Sequence, residues 1–218
     1  MDIKKRIVEE SLKLFLNHGV KAVTVERISK HIRISKRTFY EHFENKMQLL
    51  KNCLIAYEAL MRKEHERIMK TTRNNMEALF RWNDALMTRM DLVNPNFYTD
   101  IEHYYPGLME SFHKENGDFI HDTIIELAKG GIKDGMLRKG IHVEIFAKTV
   151  LSLLKLFKDS EMFPPMDYSK IQLTFNILGP YIKGVSTEAG LNMIKKYEER
   201  MKLMYAGYGF QDLEGEKF

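Results

Sequence analysis

The chain has 218 residues, of which 44% are hydrophobic and 29% are charged, so we expect one or two domains with hydrophobic cores rather than a disordered chain. No run of about 18 apolar residues occurs, and the N-terminal segment lacks the apolar stretch of a secretory signal, so we expect a cytoplasmic protein. The single cysteine, Cys53, excludes an internal disulfide, and its helical apolar surroundings predict a buried structural thiol.

Positive charge is concentrated near the N-terminus. Residues 1–51 hold twelve Lys or Arg and six Asp or Glu, a balance of +6, whereas the remainder holds 22 and 24. A basic segment attached to a near-neutral body is expected when one end of a protein binds phosphates. A solvated surface with charges clustered by chance explains the charge alone equally well, and the pattern of elements favours the first interpretation.

The first predicted elements are three short helices. One runs from about Asp2 to His18 and is ended by Gly19. Two more follow between Thr24 and Lys46, where Thr24 and Ser35 are the N-caps. Apolar residues recur at helical spacing in both, so each has a buried face. The inward-facing residues are Val25, Ile28, Ser29 and Ile32 in the first and Phe39 and Phe43 in the second.

The rest of the chain predicts further helices, because no period-2 strand pattern and no repeat of 20 to 50 residues occurs. These helices are expected at about 46–70, 75–91, around 108–112, 118–134, 142–158, 168–183 and 187–205. A break is expected at 93–96, and an aromatic, proline-containing region follows it up to Gly107. The predicted fold class is all-α, with an N-terminal three-helix helix-turn-helix head and a C-terminal helical bundle. The predicted domains are a DNA-binding head at 1–46, an effector-binding and dimerisation domain at 47–206, and a loosely ordered tail at 207–218.

Two short helices joined by a tight turn, the second with cationic groups outward, match the helix-turn-helix. The residues Ile28–Lys30, Ile34–Tyr40, His42–Phe43 and Lys46 resemble the DNA-binding signature of the TetR family of bacterial transcriptional regulators, over about the first fifty residues. The family usually has glycine at the turn position held here by Arg33. Because glycine permits positive φ, Arg33 implies a different turn or local strain.

The outward face of the second motif helix is the predicted DNA-contact surface. The resemblance implies phosphate contacts for Tyr40 and Lys46 and base reading by the first turn of the helix. Arg37 in that turn has the geometry to bind guanine bidentately. The Thr24 and Ser35 hydroxyls cap their helices and are candidates for phosphate contact. The predicted DNA-binding residues are Thr24, Ser35, Lys36, Arg37, Thr38, Tyr40, His42 and Lys46.

The centre of the chain is rich in aromatic residues and methionine, which line ligand cavities, although core packing explains each residue singly. The resemblance implies an effector cavity, for which the predicted lining residues are Trp82, Met87, Phe97, Tyr98, His103, Tyr104 and Phe112. The helix at 142–158 is apolar around most of its circumference and therefore needs burial on two sides. The resemblance implies a homodimer through this and the final helices, with the predicted interface residues Val150, Leu151, Leu154, Phe157, Leu178 and Ile194.

No catalytic or metal-binding motif accompanies the eight histidines, since HExxH, CxxC, GxSxG and a glycine-rich phosphate loop are lacking. We therefore expect no enzymatic activity, no metal and no cofactor, and keep a metal-dependent sensor as an alternative. The leading hypothesis is a TetR-like repressor that binds a palindromic operator as a homodimer and is released by a small, largely apolar or aromatic effector. The alternative is an all-α ligand-binding or protein-interaction module whose basic head meets an acidic partner rather than DNA.

Overall fold

The computed structural model describes residues 2–157, 159, 161–164 and 166–205. Within these ranges the regular structure is helical, with one isolated β-bridge between Leu137 and Ser186, and the predicted all-α class is confirmed. A π-helical turn, Thr174–Leu178, joins α10 to α11. The helices are α1 (Ile3–His18), α2 (Val25–Ile32), α3 (Lys36–His42), α4 (Lys46–Thr71), α5 (Asn75–Leu92), α6 (Asn96–Tyr104), α7 (Leu108–Asn116), α8 (Phe119–Lys133), α9 (Val143–Leu156), α10 (Lys170–Leu173), α11 (Gly179–Val185) and α12 (Glu188–Tyr205).

The described residues pack into two compact units. The N-terminal unit comprises the residues up to Arg67 together with Thr88–Phe119, and the C-terminal unit comprises Ile68–Met87 together with the described residues after Phe119. Both α4 and α5 therefore contribute residues to each unit. The domain bounds predicted from the sequence stay a prediction, and the predicted tail at 207–218 lies outside the described residues.

The N-terminal unit has one core, to which α1 to α4, α6 and α7 all contribute. Cys53 is buried in it, its Sγ donates to the Val8 carbonyl at 3.5 Å, and burial raises the pKa of the thiol. A thiol in this state is unreactive, in keeping with a structural role. The largest fully buried core residues of this unit are Ile7, Phe15, Ile28, Ile32, Phe39, Phe43, Leu49, Leu50 and Phe97.

The break predicted at 93–96 is confirmed at 93–95, but the aromatic, proline-containing region after it holds helix α6, which the sequence did not predict. Pro95 stands directly before the first helical residue, with a φ of −52°. A proline there is compatible with a helix, because the first N–H groups of a helix have no intrahelical partner to lose. The chain is non-helical at 93–95 and again at 105–107, where Gly107 has a φ of +78°.

The helix predicted at 168–183 is interrupted by the π-helical turn. Gly179 N–H donates to the Thr174 carbonyl, five residues back, instead of four. In a regular α-helix the ring of Pro180 would collide with the Asn176 carbonyl, and Pro180 also has no N–H to donate. The wider turn relieves that collision.

Candidate nucleic-acid interface and ligand cavity

Helix α3 is fixed by its buried face. Ser35 caps it by accepting the Thr38 N–H at 2.9 Å. Phe39 and Phe43 are 0% and 1% exposed, and their ring centroids are 5.8 Å apart. Because these two aromatics hold one side of a seven-residue helix, its other side projects Lys36, Arg37, Tyr40 and Glu41 into solvent.

The cations of this face lie in exposed ion pairs. Lys36 Nζ lies 3.0 Å from a Glu26 carboxylate oxygen, and Arg37 Nε lies 3.3 Å from Glu41. The side chain of Arg37 is 90% exposed, and Tyr40 is 55% exposed. Exposed ion pairs contribute little to stability and exchange readily with water. These groups are therefore accessible to a phosphate or a base edge.

The hydroxyls predicted to meet phosphates are used locally as caps. Thr24 Oγ1 accepts the Arg27 N–H at 3.1 Å, which satisfies one of the free donors at the start of α2. Ser35 Oγ lies 2.9 Å from Thr38 Oγ1 in addition to its capping bond. Thr24 and Ser35 are both exposed, so the caps stand at the surface.

Lys46 and His42, like Thr38, are half-buried, whereas the rest of the predicted set is exposed. Lys46 Nζ donates to the Val20 carbonyl at 2.5 Å and lies 5.8 Å from the centroid of the Phe15 ring. Burial lowers the pKa of this ammonium group. Lys46 thus ties the start of α4 to the segment after α1, in addition to the phosphate role that the resemblance implies. His42, the last residue of α3, is half-buried.

The turn between α2 and α3 keeps the left-handed conformation that glycine favours, although Arg33 occupies it with φ 58° and ψ 51°. The Ile34 N–H donates to the Ser29 carbonyl at 2.9 Å, which closes the helix end. Arg6 Nη2 donates to the Ile32 carbonyl at 3.1 Å and supports the same turn from α1. Local strain, rather than a different turn, is therefore how this chain accommodates Arg33.

Helix α6 supports the head, which the sequence did not predict. The Asp100 carboxylate accepts the Lys21 N–H at 2.6 Å, and the Asn94 N–H donates to the Leu16 carbonyl at 2.7 Å. Gly19, with φ +78°, lies so close that a Cβ there would stand 2.9 Å from an Asp100 oxygen. Contacts between residues almost eighty positions apart carry no signal in a single sequence.

The C-terminal unit contains a cavity of about 60 Å³. Its walls come from α5, α8, α9, the π-helical turn, α11 and α12. Trp82, 1% exposed and the single tryptophan of the chain, is part of the wall. The lining residues are Leu79, Phe80, Trp82, Asn83, Leu86, Ile124, Val150, Leu154, Thr174, Phe175, Leu178, Gly179, Ile182, Ile194, Tyr197 and Glu198.

The structure does not bring the predicted pocket residues together. Trp82 lines the cavity, and Met87 is buried on α5 outside the lining set. The other five belong to the N-terminal unit: Phe97 and Phe112 are core, Tyr98 is hydrogen-bonded to Tyr57, and His103 and Tyr104 are exposed. The prediction placed them in one pocket because aromatic composition does not say which helix faces which.

Four of the predicted dimer residues line this cavity, namely Val150, Leu154, Leu178 and Ile194. Phe157 is 1% exposed within the single chain, and Leu151 is half-buried. The apolar periodicity of α9 correctly indicated burial, but packing inside the unit accounts for most of it.

The described residues hold neither a membrane-spanning helix nor a cluster of metal-ligating side chains. No helix in them is long and apolar enough to cross a membrane. No three or more His, Cys, Asp or Glu side chains in those residues are grouped so that they could hold a metal ion.

Comparisons with known proteins agree with the geometry of the head. The family profile for bacterial regulatory proteins of the tetR family matches residues 7–53. The chain is 43% identical over 47 residues to YerO, an uncharacterized HTH-type transcriptional regulator of Bacillus subtilis (strain 168). That match covers 22% of this chain and only 16% of the length of YerO.

Solved structures resemble the fold over most of the chain. A transcriptional regulator from Saccharomonospora viridis, solved in complex with choline, has a TM-score of 0.71 at 18% identity and covers 85% of this chain and 98% of its own. A TetR-family regulator from Agrobacterium tumefaciens has a TM-score of 0.65 at 14% identity, covering 84% and 97%. At these identities the likeness shows the fold alone. Residues 7–53 therefore match the tetR family of bacterial regulatory proteins, and the chain has the fold of these solved transcriptional regulators.

Proposed function

We propose that this regulator binds a palindromic DNA operator as a homodimer, represses transcription there, and is released by a small apolar effector. The observation that carries the proposal is the exposed face of α3, where Lys36, Arg37 and Tyr40 project from a helix held by Phe39 and Phe43. The balance of +6 over residues 1–51 supports a phosphate-rich partner.

Base reading is assigned to the first turn of α3. Arg37 is the most exposed of the paired cations, and its guanidinium can exchange Glu41 for the O6 and N7 atoms of guanine. Lys36 and Thr38 flank it, and Tyr40, one turn on, is assigned to a phosphate. Thr24, Ser35, His42 and Lys46 complete the proposed set. The ammonium group of Lys46 has three N–H donors, and only one of them is used by its bond to the Val20 carbonyl, so the others can contact a phosphate.

Dimerisation is proposed because a seven-residue recognition helix reads only a few base pairs. A twofold axis places a second helix on the next half-site. Apolar side chains that stay exposed on the predicted dimer helices support this assignment: Ile145 on α9 is 61% exposed and Leu191 on α12 is 42% exposed. These residues replace the buried Val150, Phe157, Leu178 and Ile194 as the expected contacts between copies.

Release by an effector requires a ligand that binds two conformations with different affinity. The cavity in the C-terminal unit is the proposed ligand site. Helices α4 and α5 contribute to both units, so they provide continuous elements through which a change at the cavity reaches the head. The repressor role rests on the family resemblance.

The test is selection of bound sequences from a random duplex pool with the purified full chain at near-physiological salt. Enrichment of a palindrome with half-sites about one helical turn apart or more supports dimeric operator binding. A reporter carrying that operator across its promoter then tests the sign of regulation. Failure of folded protein to enrich any sequence refutes the operator proposal and favours the alternative, a module whose basic head binds an acidic partner.

A further inference from the structure

The polar groups of the cavity wall are bonded within the chain. Thr174 Oγ1 donates to the Lys170 carbonyl at 2.9 Å. Glu198 accepts from Lys183 Nζ at 2.7 Å, which neutralises its charge. The polar side chains in the lining set are Asn83, Thr174, Tyr197 and Glu198.

Tyr197 is the centre of the polar part of the wall. Its hydroxyl donates to one oxygen of the Asp84 carboxylate and is also hydrogen-bonded to the Asn83 amide. Arg200 Nη2 lies 3.8 Å from the other Asp84 oxygen. Burial raises the pKa of both Tyr197 and Asp84. A charged ligand would therefore have to displace one of these partners before it found a counter-charge.

One aromatic ring of the wall, that of Tyr197, is also engaged. The Tyr197 ring stacks on Phe80 with centroids 4.3 Å apart, and the Arg200 guanidinium lies 5.5 Å from the Tyr197 centroid. A quaternary ammonium is held by an accessible aromatic face, because the ring quadrupole attracts positive charge. On Tyr197, the guanidinium of Arg200 already lies over the ring.

The size of the cavity restricts its ligand further. A volume of about 60 Å³ accommodates only a few non-hydrogen atoms without rearrangement. Phe175 and Leu154 line the cavity and are both half-buried, so neither side chain is enclosed on every side. Phe175 belongs to the π-helical turn, a type of segment that is frequent at functional sites.

We propose that this cavity selects compact, uncharged, apolar molecules and discriminates against ions, choline included. The inference deepens the proposed function and rests on it, since it names the chemical class of the effector. It also separates this chain from the Saccharomonospora viridis regulator, which was solved with choline although the two share a fold. Transfer of a charge into a hydrocarbon wall without a partner is far more costly than transfer of a methyl group.

The fluorescence of Trp82, the single tryptophan, tests the proposal directly because its side chain lines the cavity. The purified full chain is titrated with toluene, benzyl alcohol, benzylammonium, benzoate and choline. We expect saturable binding of toluene, binding of benzyl alcohol weaker by roughly tenfold, and binding of the three ions weaker by at least about a hundredfold.

Two matched variants assign the binding to this cavity. Leu154→Phe fills the space and should abolish the toluene response, whereas Leu153→Phe, at the neighbouring position of α9 outside the lining set, should retain it. Circular dichroism and thermal unfolding establish that both variants fold. If Leu154→Phe does not fold, two measurements on the natural chain still test the proposal. Competition between toluene and benzyl alcohol shows whether they share one site, and the order of the five affinities shows whether that site excludes ions.

An ion that binds as tightly as toluene overturns the proposal, as does a toluene response unchanged by a folded Leu154→Phe variant or the lack of binding by any neutral compound. The operator proposal is judged separately, on ligand-free protein and random DNA. A palindrome without toluene binding refutes the ligand class and leaves operator binding intact. Toluene binding that leaves operator affinity unchanged supports the class of ligand but refutes its role in release.

Discussion

The head and the cavity use their polar groups in opposite ways. On α3, Lys36 and Arg37 pair with carboxylates in solvent, where each pair exchanges readily with a competing anion. At the cavity, Tyr197 and Asp84 satisfy each other inside the unit, where an unpaired group is costly. The first arrangement keeps charge available to a partner, and the second removes it from a ligand. Exposure, rather than residue type, therefore decides which groups can recognise something.

The largest expected effect separates the two faces of α3. Phe39→Ala should lower the free energy of unfolding by about 3–5 kcal/mol, because a fully buried ring is lost from the core. The labelling rate of the buried Cys53 thiol should rise with it, since that thiol reports opening of the same core. Denaturant titration and thiol labelling measure both quantities.

Tyr40→Ala is the matched control on the neighbouring, exposed position. It should change stability by less than about 0.5 kcal/mol and yet weaken DNA binding, because the side chain lies outside the core. Equal losses of stability in the two variants would contradict the division of α3 into a structural and a contact face.

The second effect concerns the polar wall of the cavity. Tyr197→Phe should lower stability by about 1.5–3 kcal/mol at neutral pH, because the Asp84 carboxylate loses a buried donor. The folded pKa of Tyr197 is raised by burial, so its contribution is present below about pH 10 and is lost as the pH rises above that value. The free energies of unfolding of the natural chain and of Tyr197→Phe should therefore approach each other as the pH rises. Urea unfolding of both proteins between pH 7 and 11 measures this, and a difference in stability that grows with pH would refute it.

The third effect tests base reading by the head. Arg37→Ala should weaken binding to the selected operator by about 1–3 kcal/mol, roughly 5- to 150-fold, through loss of a bidentate guanine contact. Lys63→Ala, which removes one charge from an exposed position on α4, is the control and should change affinity far less. A comparable loss in both variants would show that Arg37 acts through charge alone.

The fourth effect is a gain. Arg33→Gly should raise the free energy of unfolding by about 1 kcal/mol, because glycine relieves the strain of a left-handed residue at φ 58°. Arg33→Ala retains the Cβ and should not be stabilising to the same extent. Thermal unfolding of the three proteins decides whether the strain is real, and equal stabilisation by alanine would attribute it to the charge instead.

The smallest effect concerns the carboxylates near the contact face. Glu26→Gln should raise affinity for random duplex DNA by a few fold and steepen its dependence on salt, because Lys36 is freed for a phosphate. Stability should change by less than about 0.5 kcal/mol, since the pair is exposed. Unchanged affinity and salt slope would mean that Lys36 already exchanges freely with phosphate in the natural chain.

The difference between head and cavity also separates what a sequence predicts well from what it predicts poorly. Thr24 and Ser35 cap their helices as predicted, and Phe39 and Phe43 face inward, because caps and buried stripes are set by residues a few positions apart. For Arg33 the sequence predicted either a different turn or strain, and the φ value decides for strain.

The cavity could not be derived in this way. Val150 and Ile194 belong to helices about forty residues apart, and their apolar character predicts burial without saying whether a cavity wall or a second copy of the chain buries them. Asp100 on α6 supports the head by accepting the Lys21 N–H, and a contact between residues so far apart in the chain cannot be predicted from a local sequence pattern. The amino-acid sequence by itself determined the helical class and the two capped helices α2 and α3, since these depend on short-range periodicity and capping. Only the tertiary structure decided which apolar faces meet around the cavity, because that depends on how distant helices pack.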